Sequence, residues 1–369
     1  MREVDFPYRT LYSELVQRSL DGSFATEFSL AGRFVPVQVK GRAFWYYDAP
    51  KQAGDLLPKR RRYVGPADDP DIARRVETFK DLKEDYRTRT RIVSTLVREA
   101  HLTRPEGLAG PIVEALANAG FFRLRGVLVG TVAFQTYSGL LGVRMRNAIM
   151  QTGDADFALF HSIANAVDDN MPSILELLRG IDATFREIPH ATDGRYSTKY
   201  STRSGYKVEF LTPNTSSDDY AGRPASMPAL GGTAAQPLRF LDFLIYQPVR
   251  AVLLHGAGVP VLVPSPERYA IHKLIVAARR RTSDEGYDKS SKDRAQAAEL
   301  IGVMAAQRNH TALADAYMEA WDRGPHWRDA IRAGLDQMES AEAIRVALAL
   351  GVDRLGSDPA TYELPPTPA

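Results

Sequence analysis

The chain has 369 residues, 44% of them hydrophobic and 25% charged, with a net charge of +2 and no cysteine. Near-neutrality removes the global positive field that gathers basic proteins on nucleic acid, and the lack of cysteine excludes disulfides, iron–sulfur clusters and thiolate zinc sites. The start, Met1-Arg2-Glu3-Val4-Asp5, lacks a signal peptide's apolar core, and the longest apolar candidate, Val249 to Val263, is broken by His255-Gly256-Ala257-Gly258 and Pro260. A cytoplasmic protein with no membrane contact is the expectation.

The length suggests two or three domains. Residues 7–31 read as helix, with Leu11, Leu15 and Val16 at helical spacing. Val35, Val37 and Val39 alternate with other residues and turn through Lys40-Gly41-Arg42 into Phe44-Trp45-Tyr46-Tyr47, a predicted β-hairpin. After the basic run Lys59-Arg60-Arg61-Arg62, Asp68-Asp69-Pro70 opens a long charged helix from Asp71 to Ala100, with Ile72, Val76, Phe79 and Leu82 on its apolar face. A short helix, Pro111 to Ala119, leads into a strand from Phe122 to Val129. Further strands are expected at Asp154–Phe160 and Ala183–Ile188, in a hairpin of Tyr196–Tyr200 with Tyr206–Leu211, and at 249–254 and 259–263. Residues 212–238, rich in Pro, Gly, Ser and Thr, read as a long loop. Ser265-Pro266-Glu267 starts a helix, with serine as N-cap, proline at the first helical position and an acid at the positive dipole end. The chain beyond is alanine-rich and mostly helical, and the tail 357–369 is proline-rich and expected to be flexible.

Three features carry chemistry. Val129-Gly130-Thr131 ends an apolar strand in a glycine at a helix start, where backbone N–H groups can meet phosphate; a packing turn is the competing explanation. In Asp154-Ala155-Asp156 the two carboxylates share one strand face and repel each other unless a cation lies between them. Magnesium takes such ligands; the bland alternative is a solvated edge strand, against which Phe157, Ala158, Leu159 and Phe160 argue. Glu209, in Tyr206-Lys207-Val208-Glu209-Phe210-Leu211, is either a third carboxylate from a neighbouring strand or an ordinary solvent-facing glutamate.

In this order, glycine turn, Asp-x-Asp and later strand acid, the sequence resembles the DNA polymerase β-like nucleotidyltransferase superfamily. The stretches Ala119 to Thr131 and Lys59 to Pro66 resemble a bacterial branch described only as nucleotidyltransferase-like. The resemblance covers roughly residues 35–300. It departs from the pattern at Thr131, where glycine or serine is usual, and in the longer stretch between Gly130 and Asp154. It implies an α/β (α+β) protein: an N-terminal α+β module (1–110), a mixed-sheet nucleotidyltransferase core (111–264) and a helical C-terminal domain (265–356), with the nucleotide in the cleft between core and cap. It implies transfer of a nucleoside monophosphate from a nucleoside triphosphate, such as ATP, by two Mg2+ ions, with Mn2+ as a substitute. Asp154, Asp156 and Glu209 would be catalytic and metal-binding, and Gly130 and Thr131 would position the β- and γ-phosphates. Lys273, Arg280, Lys289 and the pair Lys292-Asp293 resemble the helix lysine and Lys-Asp pair of abortive-infection nucleotidyltransferase toxins, whose lysines reach the triphosphate; a solvated basic face competes.

The acceptor is left open. A toxin-like enzyme modifying tRNA or protein, and a catalytically silent nucleic-acid-binding or interaction protein, are the alternatives. The seven histidines, His161 included, show no zinc spacing, and neither Gly-x-x-x-x-Gly-Lys-(Ser/Thr) nor Gly-x-Ser-x-Gly occurs. Phe44 to Tyr47 beside Lys59–Arg62 suggest either base stacking or a hairpin packed on a helix.

Overall fold

The computed structural model describes residues 2–22, 30, 32–39, 41–48, 61–149, 152–161, 171–214, 223–279 and 284–367. The protein is mixed α/β, with a mixed sheet and a helical C-terminal region. The N-terminal part holds α1 (Phe6–Gly22), a three-stranded antiparallel sheet of β2 (Arg33–Val39), β3 (Arg42–Asp48) and β4 (Arg61–Pro66), and α2 (Pro70–Arg98). The aromatic hairpin packs on a helix: Phe34 meets Phe79 edge-on at 4.7 Å, and Tyr47 is buried beside them. Helices α1 and α2 share an apolar seam of Leu15, Ile92, Val93 and Leu96. That seam closes on β13 (Val249–Leu253), which pairs with β14 (Val259–Val263). Buried Tyr12 ties them together, because its hydroxyl accepts from Val252 N–H at 3.1 Å and donates to Val252 C=O at 3.4 Å. A short β1 (Arg2–Glu3) pairs with β6 (Val143–Arg144).

The central sheet positions the site. It runs β11 (Ala225–Ser226), β12 (Ala234–Leu238), β10 (Lys207–Pro213), β7 (Asp154–Ala158), β5 (Val127–Val129), with β9 (Ser197–Ser201) also paired to β10 and β8 (Arg186–Pro189) to β9. β7, β10 and β12 are parallel, whereas β5 is antiparallel to β7. Helix α3 (Ala109–Asn118) precedes β5, α4 (Gly130–Leu140) follows it directly, and the short helices α5 (Ile174–Arg179) and α6 (Leu241–Leu244) come later.

Three expectations need correction. The strand expected from Phe122 begins only at Val127, because Phe121 folds back over Gly126, where a Cβ would lie 2.3 Å from its ring. Phe121 thereby meets Phe157 and Phe210 edge-on in the core. The expected loop 212–238 contains β12, whose Leu211–Gln236 pairing extends the parallel sheet; residues 215–222 lie outside the described residues. The tail 357–369, read as flexible, forms a 3-10 turn at Pro359–Tyr362, and Tyr317 donates to the Tyr362 carbonyl at 2.9 Å.

The C-terminal helices are α7 (Pro266–Ala278), α8 (Asp284–Ala306), α9 (His310–Asp322), α10 (Pro325–Asp336) and α11 (Ala341–Arg354). Ser265 takes the N-cap position of α7 with its hydroxyl buried and unpartnered, so Pro266 marks the start and no side-chain cap is made. One hydrophobic core runs from α3 through the sheet to α11. Among the described residues no helix is long and apolar enough to cross a membrane.

Candidate active site

The site begins where β5 meets α4. Gly130 has φ +68°, a left-handed conformation that glycine adopts without strain. A Cβ there would lie 2.6 Å from Asp156 Oδ2, so only glycine lets the turn and the carboxylate come this close. Thr131 follows, buried in the first turn of α4. The hydroxyl of Tyr269, on α7, donates to the Gly130 carbonyl at 3.0 Å and straps the cap onto the turn.

Along β7, Asp154 and Asp156 alternate with buried Ala155 and Phe157, so the pleat turns both carboxylates to one face. The parallel register of β7 and β10 sets Glu209 opposite Asp156 and Lys207 opposite Asp154. Register partners share a face, so all three acids stand on one side of the sheet. Like charges and burial leave Asp156 under strain. Its carboxyl is pushed up to about 7, first by burial, then by Asp154 and Glu209, with Lys273 and Lys199 opposing. Thr152 donates its hydroxyl to Asp154.

Lys199 belongs to this group and carried no motif signal. Its ammonium lies 3.0 Å from Glu209 Oε1. It was findable through the hairpin register, since Lys199 and Glu209 are paired across the turn at Arg203-Ser204-Gly205. Lys273 is buried, paired with Asp293 at 2.5 Å and set 5.2 Å from the Tyr269 ring centre. Its charge reaches Asp156, but its hydrogen bond is already given to Asp293. Half-buried Lys292 makes no hydrogen bond or ion pair among the described residues. Burial lowers its pKa and Lys273 adds to that, while Asp154 and Asp156 pull the other way. Lys292 thus stands beside the aspartates with its ammonium uncommitted among the described residues. Lys289 is exposed, and Arg280 lies outside the described residues.

The three acids are aligned without forming a ready cage: among the described residues no group of three or more His, Asp or Glu side chains is arranged to hold one ion. Glu209 is held by Lys199 instead. Magnesium commonly uses only one or two carboxylates together with substrate phosphates. The Asp154–Asp156 pair has that donor chemistry, and burial, then the neighbouring carboxylates, make the Asp156 charge costly to hold.

A family model described as Nucleotidyltransferase matches residues 108–322. The chain belongs to this nucleotidyltransferase family. The match opens just before α3, closes with α9, and includes Gly130, Asp154, Asp156, Glu209, Lys273 and Lys292. Comparison with curated proteins and with solved structures gives no match. As a nucleotidyltransferase the protein is a transferase with a nucleotide substrate.

Proposed function

We propose that this nucleotidyltransferase moves a nucleoside monophosphate from a nucleoside triphosphate to an acceptor hydroxyl, and that its acidic face is the reaction centre. The observation that best supports this is the register of Asp156 with Glu209 beside the Gly130 turn. Asp154 and Asp156 would hold magnesium, which when bound supplies positive charge to the triphosphate and to the attacking and leaving oxygens. The α4 N-terminus at Gly130 and Thr131, where a helix's first N–H groups have no intrahelical partners, suits the terminal phosphates. Lys292 would meet the leaving pyrophosphate as a point charge, and Lys273 would orient Asp293 and add to the local positive field. Glu209 would accept the acceptor's proton once Lys199 lets it go. As the displaced partner, Lys199 keeps Glu209 charged and aimed until substrate arrives.

The test is transfer of label from nucleoside triphosphates radiolabelled at the α-phosphate, with magnesium, in the presence of cell extract. Label should move to a new species with release of pyrophosphate, and Glu209→Gln should abolish that movement. Triphosphate binding by isothermal calorimetry with no label transfer to any fraction would favour a silent binding protein.

A further inference from the structure

A cavity of about 900 Å3 adjoins the acidic face. Its inner end is lined by Thr152, which bonds Asp154, and by Tyr206, whose hydroxyl is buried without a partner. Its outer wall is the segment 101–107, with Thr103, Arg104 and Glu106; Gln135 of α4 and His255 contribute from the core. No described residue of the five cap helices lines it.

We propose that this cavity is the acceptor site, and that the acceptor is a small hydroxylated molecule of little net charge, of the sugar or polyol class. The inference rests on the nucleotidyl-transfer reading of the acidic face. Four observations carry it. The cations assigned to the triphosphate, Lys273 and Lys292, are on the cap, and an in-line displacement brings the acceptor from the side opposite the leaving pyrophosphate. The volume is that of a pocket for a small molecule, within the range of roughly 300–1,000 Å3. The lining holds one fixed cation, Arg104, one fixed anion, Glu106, and the rings of Tyr206, His101 and His255. Single-stranded nucleic acid wants a positively charged groove that tracks its backbone, and one arginine offset by one glutamate does not supply it. Finally, the wall 101–107 precedes the family match at 108–322, so one side of the cavity is added from outside the matched core, while Gln135, Thr152, Tyr206 and His255 come from within it.

In the reaction the acceptor oxygen forms a bond to the α-phosphorus, and the bond from that phosphorus to the oxygen bridging to the β-phosphate breaks. Pyrophosphate leaves with the bonding pair, and the hydroxyl proton passes to Glu209. The hydroxyl of Tyr206, still unpartnered, is placed to hydrogen-bond a second acceptor oxygen.

The test uses the full chain, α-labelled nucleoside triphosphates with magnesium, and a cell extract split by ultrafiltration into a low-molecular-weight filtrate and an RNA-and-protein retentate. Label should enter a product in the filtrate. Thr103→Trp, which fills the cavity, should cut transfer at least about tenfold, while the triphosphate Kd from isothermal calorimetry stays within about twofold. Tyr206→Phe removes one unpartnered hydroxyl and keeps the ring; it should raise KM for the filtrate acceptor several-fold with that Kd unchanged, and it carries the test if Thr103→Trp does not fold. Label in RNA or protein overturns the proposal. So does a Thr103→Trp protein that transfers normally, or one that loses triphosphate binding, which would make the cavity part of the donor site. A wild-type chain that binds no magnesium–triphosphate overturns the transfer reading itself, a result separate from all of these.

Discussion

Two charged clusters in this protein have opposite electrostatics. At the acidic face, Asp156 is pushed up to about 7 and Lys292 is pushed down, so folding drives both toward neutrality. In the cap, Arg268 donates to Glu319 at 3.2 Å and also bonds its second oxygen, and Arg323 joins the same carboxylate at 2.7 Å while pairing with Asp242. Burial works to raise the Glu319 pKa, yet hydrogen bonds from the two arginines win and lower it. The Arg268 guanidinium also lies 4.8 Å from the ring centres of Phe243 and Tyr246. Both clusters are partly buried and both mix acids with bases. One is satisfied and holds α6, α7 and α9 together; in the other, burial and neighbouring carboxylates make the Asp156 charge costly to hold. On the proposed reading, that difference separates a structural ion network from a site that takes a charged ligand.

The largest expected effect is at Asp156. Asp156→Asn should lower transfer by about a thousandfold, comparable to losing a preorganised electrostatic contact of roughly 4 kcal/mol. Stability should move the other way. The folded-state pKa of about 7 stands above the ordinary 3.8, so the folded chain holds a proton that the unfolded chain has released between those values. The associated stability is complete below about pH 4 and is lost as pH rises through 7, a difference of up to about 4 kcal/mol. Thermal melts without divalent cation should therefore show wild type losing stability across that window relative to Asp156→Asn. Parallel melting curves for the two proteins would break the contrast with the cap.

Gly130→Ala should come next. Its Cβ would collide with Asp156 Oδ2 and force a side chain into φ +68°. We expect transfer to fall about a hundredfold and stability by about 1–2 kcal/mol, read by label transfer and urea denaturation. Wild-type activity in this variant would remove the glycine turn from the site.

Arg268→Ala tests the satisfied cluster. It takes one of two arginines from Glu319, which keeps Arg323 and is a third exposed, so the loss should be about 2 kcal/mol or less, below that of a fully buried pair. Urea melts should show it, with kcat kept within about threefold. An equal loss of activity would mean that the cap network also serves the reaction.

The smallest effect is expected at Lys292. Lys292→Ala should weaken triphosphate binding about tenfold, or 1.4 kcal/mol, with melting temperature unchanged or slightly raised, because a partly buried ammonium with no ion-pair partner is removed. Lys273→Ala should instead cost stability, since it takes the buried ion pair from buried Asp293. Calorimetric titration and thermal melts on the two variants distinguish a ligand-facing lysine from a supporting one.

The sequence alone determined the aspartate pair of the acidic face. Asp154 and Asp156 are two apart, and strand period puts them on one side whatever else the chain does. It also determined the glycine at the strand end, the proline start of α7 and the helical cap, because these are local properties of spacing and backbone freedom. Tertiary structure decided the rest. Glu209 meets Asp156 only through the parallel register of β7 and β10, and the two strands are separated by some fifty residues of chain that spacing rules do not span. Lys199 enters through a hairpin, and Lys273 gives its charge to Asp293 on the next helix instead of to solvent. Strand β12 was hidden in a composition typical of loops, because pairing to β10, not propensity, makes it a strand. The cavity is assembled from the segment 101–107, α4, a hairpin turn and Tyr206. Volume between elements distant in sequence leaves no periodic trace, so only the packed chain reveals it.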